Sequence, residues 1–313
     1  MLRVAIVLSP GYQMMVFASI SVFEIANAVA HEQRYEVAIL SEFGGPVKSS
    51  LGAAVDTVPF GNPGDFDTVI AGGLLTPASS SQGLIHFFRT AGTQCRRVAS
   101  ICTGAFVLAE AGLLDGKRAT THWLFARALK ERFPKIKLDD DRIFIADGSI
   151  WTSGGMTAGI DLALGLIEKD YGAEFAGQVA QVLVVYHRRA GGQSQHSNLL
   201  KMHPKSDRIQ NAITFAQQNL GGPLTVEELA RIANLSPRQF SRAFRAETGQ
   251  SPARAVENLR VEAARLMLEQ GRHSLDAIAV ETGFTDREHM RRAFVRALGD
   301  APQTIRRTAR LSN

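Results

Sequence analysis

The sequence predicts two domains of different classes: an α/β doubly wound domain over residues 1–190 and an all-α domain over residues 207–313, joined by a linker over 191–206. Three observations lead to this prediction. Short β-branched segments alternate with helical patterns in the first half of the chain. A stretch rich in Gly, Gln, Ser and His follows without a sustained period, and the last third contains an internal repeat.

The composition is that of a soluble globular protein. The chain has 313 residues, 45% of them hydrophobic, and we find no uninterrupted apolar run of about 18 residues that would cross a membrane. The N-terminal apolar segment is too short for a secretory signal, so we expect a cytoplasmic protein with no membrane partner. The two cysteines, Cys95 and Cys102, form neither a disulfide framework nor a metal-ligand pattern with the scattered histidines, and we expect no metal or cofactor.

Four segments of the first half are predicted to be parallel strands, namely "RVAIVL", "YEVAIL", "TVIAGG" and "RVAS". Helical spacing between and after these strands, as in residues 14–30, places helices on both faces of the sheet. In "RIFIADGSIWTSGG" the Asp147-Gly148 pair favours a tight hairpin turn. A long helical segment after Gly155 is expected to close the domain.

The last third of the chain repeats itself once. "TVEELARIANLSPRQFSRAFRAETGQSP", which begins at Thr225, matches "SLDAIAVETGFTDREHMRRAFVRALGDAP", which begins at Ser274. Each copy contains two short helical patterns around a tight turn, and this arrangement predicts helix-turn-helix units at about 225–247 and 274–297. From residue 206 onward, 16 arginines, no lysine and 12 acidic residues give a net charge of +4, which favours a polyanionic partner.

The second helix of each unit has a predicted start and a predicted outer face. Ser236 with Gln239, and Thr285 with Glu288, are spaced as helix-capping pairs. Inward apolar spacing leaves arginine-bearing faces outside, and arginine suits the guanine edges and phosphates of a DNA major groove. The alternative is a solvated face on a helical bundle, which a repeat at this spacing disfavours. The predicted DNA-binding residues are Arg238, Gln239, Ser241, Arg242, Arg245, Arg287, Glu288, Arg291 and Arg292.

A long helix is predicted between the two units. It comprises "PARAVENLRVEAARLMLEQ", which begins at Pro252 after a capping Ser251 and ends near Gly271. Its 19 residues span roughly 28 Å at ~1.5 Å per residue, close to the ~34 Å between successive major grooves on one face of DNA. Such a helix would hold both units on adjacent grooves.

These motifs resemble the DNA-binding domain of the AraC/XylS family, whose two helix-turn-helix units are joined by one helix. The resemblance covers about residues 207–310 and includes "LSPRQFSRAFRAETGQSP" and "GFTDREHMRRAF". It weakens in the second unit, where Met290 stands at a position that is commonly aromatic in the family and "GDAPQTIRR" is a loose version of the closing segment. We therefore expect the second unit to read DNA less sharply than the first.

A possible catalytic site lies in "SICTGAF". The sequence places Cys102 between a strand and a helix, the arrangement of a nucleophile elbow, in which the helix N-terminus would lower the thiol pKa. His122 is a candidate base, and Gly72 with Gly73 would offer backbone N–H groups at the same sheet edge. The alternative is that Cys102 is a small buried apolar residue and His122 a structural, hydrogen-bonded histidine.

Residues 3–190 resemble PfpI-type proteins of the class I glutamine amidotransferase-like fold, and "SICTGAFVLAEAGLLDGKRATTHW" is close to the version fused to AraC-type domains in GlxA-like regulators. The resemblance implies a flavodoxin-like sheet with a small-molecule site at the elbow. It also implies an acidic residue on the first helix, where this chain has Val16, and the nearest downstream carboxylate on that helix is Glu24. The implied ligand-binding residues are Gly72, Gly73, Cys102, Thr103, His122, Trp123, Thr152, Ser153 and Gly154.

The sequence predicts a ligand-responsive, sequence-specific DNA-binding transcription regulator that acts as an activator and is not an enzyme. The resemblance implies an effector such as an amino acid or a quaternary ammonium compound, a homodimer, and contact with RNA polymerase. Specific binding to double-stranded operator DNA also favours a dimer, and would place the protein at the nucleoid. The alternative is a cysteine-dependent hydrolase or glyoxalase-like enzyme that carries a DNA-binding appendage.

Overall fold

The computed structural model describes residues 1–185, 195, 204, 206–270 and 273–312. The chain divides into two compact units, Met1–Gln195 and His196–Asn313. Most of the predicted linker, residues 191–206, lies outside the described residues, and of that segment the structure describes Gln195, Pro204 and Ser206. Gln195 is the last residue of the first compact unit.

The first unit is built on an eight-stranded sheet, whose strands are β1 Leu2–Val7, β2 Tyr35–Ser41, β3 Gly45–Lys48, β4 Ala54–Pro59, β5 Thr68–Ala71, β6 Arg97–Ile101, β9 Phe144–Asp147 and β10 Ile150–Ser153; a separate two-stranded pair consists of β7 Arg118–Ala119 and β8 Lys137–Leu138. The strand order is β3-β4-β2-β1-β5-β6-β10-β9. The six central strands run parallel to one another, while the edge strands β3 and β9 each pair antiparallel with the strand beside them. The predicted doubly wound class is confirmed.

Helices cover both faces of this sheet, because alternate residues of each strand point to opposite sides. The helices are α1 Val16–Ala30, α2 Gln82–Gln94, α3 Gly104–Glu110, α4 Trp123–Arg132, α5 Ala158–Tyr171 and α6 Ala173–Val182. Val4 and Ile6 of β1 pack in one core with α1, α5 and α6, while Ala5 and Val7 pack in the other core with α2, α3 and α4. Within the described residues, no helix combines the length and the apolar composition needed to span a bilayer.

The predicted hairpin is present, although its turn is one residue further along than expected. Asp147 still pairs with Ile150, so that Gly148 and Ser149 form the turn. Of the predicted Asp147-Gly148 pair, Gly148 is the residue with a positive φ, at 65°. A two-residue turn that begins with glycine connects antiparallel strands without strain.

The second unit consists of helices around two separate cores. Its helices are α7 Asp207–Gln218, α8 Val226–Ile232, α9 Pro237–Thr248, α10 Pro252–Gln270, α11 Leu275–Glu281, α12 Arg287–Leu298 and α13 Pro302–Ser312. The long helix α10 contributes to both cores. Leu259 packs in the first with Phe240 and Phe244, and Val261 packs in the second with Phe294.

The caps of the two second helices differ. For α9, the predicted Ser236 and Gln239 form a complete capping box, with Pro237 in the first helical turn. For α12, the predicted pairing of Thr285 with Glu288 is wrong. The N-cap is Asp286, whose carboxylate accepts the backbone N–H of His289 at 2.7 Å. The extended backbone of Asp286 lets its side chain reach the helix end in place of Thr285.

A buried ion pair ties α5 to the amino-terminal edge of the sheet. The side chain of Asp170 is 2% exposed and pairs with Arg96 and Arg97, which precede and begin β6. The hydroxyl of Tyr35, at the start of β2, donates to the same carboxylate at 2.9 Å. Burial and the Asp170 charge raise the pKa of the Tyr35 phenol, so that it stays a donor at neutral pH.

We expect Asp170→Asn to lower the free energy of unfolding of the first unit by about 3–5 kcal/mol, because it leaves two arginines beside a neutral amide. Asp115→Asn is the control, since Asp115 forms an exposed pair with Lys135 at 3.0 Å and its loss should cost no more than about 1 kcal/mol. Both tryptophans, Trp123 and Trp151, lie in the first unit. Urea unfolding monitored by tryptophan fluorescence therefore measures the free energy of unfolding of the first unit. Equal effects of the two variants would contradict the prediction.

Candidate functional site

The predicted elbow at Cys102 is present. Strand β6 ends at Ile101, Cys102 has a φ of 57°, and α3 begins at Gly104. A positive φ is costly for a residue with a side chain, and it persists only where the surrounding structure enforces it. The elbow geometry expected from the sequence is therefore an enforced feature of the fold.

Three glycines leave room for this elbow. A Cβ atom on Gly73 would lie 2.9 Å from Cβ of Cys102, and a Cβ atom on Gly155 would overlap the same side chain. On Gly104 a Cβ atom would overlap the backbone carbonyl of Ala71 at the end of β5. Because these three positions carry no side chain, the segments that contain them close around Cys102, which is 6% exposed.

The burial of Cys102 reverses the pKa shift that the sequence suggested. Desolvation raises the pKa of the thiol to about 11, and the hydrogen bond from the backbone N–H of Thr103 lowers it only in part. The prediction that the helix N-terminus would lower this pKa is therefore wrong, because α3 is only seven residues long and the sulfur is removed from water. Val16, at the position of the acid in PfpI-type enzymes, is buried, and Glu24 is exposed.

His122 is the N-cap residue of α4. Its Nδ1 accepts the backbone N–H of Leu124 at 3.3 Å, and its ring stacks on Trp123 with a centroid separation of 5.7 Å. Trp123 is 46% exposed. The sequence left open whether His122 is a base or a structural residue, and the capping bond gives it a structural role.

Gly72 does not present its N–H group to the elbow as expected. That group donates to the carbonyl of Val7 at 3.0 Å, which joins the end of β5 to the end of β1. The hydroxyl of Thr103 is also engaged, since it accepts from the N–H of Leu74 at 2.7 Å and donates to the Leu74 carbonyl at 2.8 Å. The predicted oxyanion-binding role of Gly72 is therefore corrected to a strand-joining role.

Gly72 and Thr103 line a cavity of about 430 Å³. The cavity lies at the carboxyl ends of β1, β2 and β5, beside the start of α2 and α3, which is where open α/β sheets bind small molecules. Glu42 is the one ionisable residue in its lining, and Ser81 donates to that carboxylate at 2.5 Å. Most other lining residues are apolar or serines, among them Leu8, Phe43, Phe60, Ser79, Ser80 and Phe106.

The other predicted ligand residues form a second group beside β10. Thr152 and Ser153 are buried, and their hydroxyls are committed to the backbone: Thr152 accepts from the N–H of Thr120 at 2.8 Å, and Ser153 donates to the carbonyl of Ser100 at 3.4 Å. Direct ligand contact by these two hydroxyls is therefore not supported. Gly154, next along the chain, faces the side chain of Gln195.

Sequence reasoning missed Gln195. Its side-chain amide is held by the chain around Thr120, Thr121 and Arg142, and the backbone N–H of Trp123 donates to its Oε1 at 3.0 Å. A Cβ atom on Gly154 would come within 2.5 Å of the Gln195 side chain, so a side chain at position 154 would displace the Gln195 amide. The glycine was visible in the sequence, but nothing near position 195 indicated its partner.

The predicted DNA-reading face of the first helix-turn-helix unit is accessible. On α9, Phe240 and Phe244 are buried, and the five predicted residues lie on the other side. Of these, Ser241 is half-buried and the others, Arg238, Gln239, Arg242 and Arg245, are exposed. In the described part of the chain, no carboxylate pairs with these three arginines.

On the corresponding face of the second helix-turn-helix unit, the arginine charges are partly neutralised. Arg287, Glu288, Arg291 and Arg292 are exposed on α12, as predicted. Arg291 and Glu288 form a two-pronged ion pair with both N···O distances at 2.7 Å. Arg287 lies 3.6 Å from Asp276 of α11. Two of the three arginines on this face thus already have carboxylate partners.

The family matches cover most of the chain. Residues 3–169 match the DJ-1/PfpI family, and residues 229–308 match a helix-turn-helix domain family. Among solved structures, an AraC family transcriptional regulator from Pseudomonas putida shares the fold, with a TM-score of 0.55 at 22% identity over 58% of this chain and 100% of that one. The isonitrile hydratase of Pseudomonas putida is 39% identical over 144 residues, which are 45% of this chain and 61% of the enzyme.

Two relatives align with nearly the whole chain. The HTH-type transcriptional regulator CdhR of Pseudomonas aeruginosa is 32% identical over 96% of this chain and 90% of its own length. The HTH-type transcriptional regulator GlxA of Rhizobium meliloti is 30% identical over 97% of this chain and 95% of its own length. The chain therefore belongs to the GlxA-like transcription regulators, in which a DJ-1/PfpI domain precedes an AraC-type DNA-binding domain.

Proposed function

We propose that this regulator is controlled by a small cationic effector that binds the 430 Å³ cavity of the first unit. The observation that carries the proposal is the composition of that cavity, in which a single carboxylate, Glu42, stands among apolar and serine side chains. Such a lining suits a compact cation with an apolar body, because the carboxylate fixes the charge and the apolar walls desolvate the rest. Amino acids and quaternary ammonium compounds both carry this kind of head group.

In this proposal the first helix-turn-helix unit supplies most of the sequence recognition. Arg238, Arg242 and Arg245 are available to phosphates and guanine edges without first leaving a carboxylate. On α12, DNA contact by Arg291 requires breaking its bond to Glu288, which offsets part of the gain. The second helix-turn-helix unit then acts mainly by positioning the first helix-turn-helix unit on the duplex.

The remaining parts of the proposal concern assembly and outcome. We infer a homodimer, because two copies double the number of base contacts and bring specificity into the range that operators require. Activation through contact with RNA polymerase is the outcome that the family resemblance supports. The protein would work in the cytoplasm, at the nucleoid when bound to its operator.

A catalytic role for the first unit is the competing proposal, and the relation to isonitrile hydratase supports it. The buried Cys102 thiol, with its pKa raised to about 11 and Val16 at the acid position, favours a sensor without turnover. A nucleophilic cysteine needs a substantial thiolate fraction at neutral pH.

Replacing one arginine on each reading face tests the proposed division of labour. We expect Arg242→Ala to weaken operator binding by roughly 5- to 150-fold, or about 1–3 kcal/mol, and Arg291→Ala by less than about threefold, because Arg291 is already paired with Glu288. Arg89→Ala, at an exposed position on α2, is the control. Fluorescence anisotropy with an operator selected from random duplexes measures the affinities, and a larger loss for Arg291→Ala would contradict the proposal.

Choline and its uncharged analogue 3,3-dimethylbutanol test the effector cavity. We expect choline, but not the analogue, to raise the midpoint of thermal unfolding of the first unit, since only the cation attracts Glu42. Glu42→Gln should abolish this shift. Glu32→Gln, at an exposed carboxylate, should retain it. A choline shift that survives in Glu42→Gln would place the cation elsewhere.

The state of the Cys102 thiol separates sensor from enzyme. With a pKa of about 11, roughly one thiol in ten thousand is ionised at pH 7, and alkylation by iodoacetamide should be slow and accelerate as the pH rises towards 11. Peptide mass spectrometry follows Cys102 and Cys95 separately, with free cysteine as the reference. Rapid alkylation of Cys102 at pH 7, together with turnover that Cys102→Ser abolishes, would support the enzyme.

A further inference from the structure

The side-chain amide of Gln195 occupies a polar recess of the first unit. We call this recess the amide seat and define it by Thr120, Thr121, Asp140, Arg142 and Gly154. Thr120 and Thr121 are fully buried, and the backbone N–H of Gln195 is anchored to the carbonyl of Asp141 at 3.1 Å. The seat is separate from the Glu42 cavity, whose lining contains none of these residues.

The seat contains more acceptors than an amide can use. Four oxygens surround Nε2 of Gln195: the carbonyls of Thr121 at 2.7 Å, Arg142 at 2.8 Å and Asp140 at 3.3 Å, and the hydroxyl of Thr120 at 3.1 Å. An amide nitrogen has only two hydrogens to donate. An ammonium group has three, and a guanidinium has five in a planar fork.

The seat lies in an acidic segment, since residues 139–142 are three aspartates and one arginine, of which Asp139 pairs with Arg142 at 2.6 Å. The neutral amide of Gln195 thus lies among surplus acceptors. A cationic N–H donor would be bound more strongly there than an amide, because charge-assisted hydrogen bonds are roughly twice as strong as neutral ones.

We propose that the amide seat is a second ligand site, specific for a guanidinium or primary ammonium group, and that Gln195 is its built-in competitor. The proposal goes beyond the effector cavity, since that cavity requires a cation but no N–H donors. Because Gln195 is the last residue of the first compact unit, a ligand in the seat displaces the residue at which that unit ends. A tethered competitor of this kind acts at an effective concentration in the millimolar range, so the seat responds only to abundant or tightly bound ligands.

Calorimetric titration of the full chain with methylguanidinium chloride tests the seat. Gln195→Ala removes the competitor, and Gln195→Glu keeps its shape but replaces the donor with a carboxylate that the surrounding carbonyls repel. We expect both variants to bind methylguanidinium at least about fivefold more tightly than the unmodified protein. Gln178→Ala, the same change at an exposed position on α6, should bind as the unmodified protein does.

Two comparison probes define the chemistry. Tetramethylammonium carries the same charge without N–H groups, so Gln195→Ala should leave its affinity unchanged, while acetamide should bind the Gln195→Ala protein more weakly than methylguanidinium. Equal methylguanidinium affinity of the unmodified protein and Gln195→Ala, no binding to either, or an equal gain in affinity for tetramethylammonium would overturn the proposal. The choline response that depends on Glu42 should persist in Gln195→Ala, so the failure of one site is distinguishable from the failure of the other.

Discussion

The sharp turn at Cys102 is possible only because neighbouring segments carry no side chain where they pass it. Gly73, Gly104 and Gly155 each come so close that a Cβ atom would collide with the elbow or with the adjacent strand end. This clearance lets β5, β6 and β10 converge at one edge of the sheet, and it also seals the sulfur from water. The geometry shared with cysteine enzymes thus comes with a thiol whose pKa is raised to about 11.

The convergence divides the predicted ligand site into two parts. Gly72 and Thr103 lie on the side of β1 and β2, where the cavity with Glu42 opens. Thr152, Ser153 and Gly154 lie on the side of β10, where Gln195 is bound. Cys102 stands between these parts, where it is 6% exposed and packs in one of the two cores of the first compact unit.

Much of the architecture was readable in the sequence because it depends on local patterns. Strand and helix periodicity gave the doubly wound sheet, and the duplicated capping and apolar positions gave both helix-turn-helix units with the helix between them. Long-range contacts were not readable. The cap of α12 is Asp286 rather than Thr285 because the backbone of Asp286 is extended. The desolvation of Cys102 depends on glycines from distant segments. Gln195 contacts Thr120, from which it is separated by 75 residues in the sequence.

The helix α10 belongs to both cores of the second unit, with Leu259 in one and Val261 in the other. Its length is therefore a fixed dimension. Inserting one residue near its middle would turn one core about 100° around the helix axis relative to the other and displace it by ~1.5 Å. The two reading faces would then point to different sides of the duplex. Natural variation in this helix should accordingly change its side chains but conserve its number of residues, because that number fixes the spacing and the relative rotation of the two helix-turn-helix units.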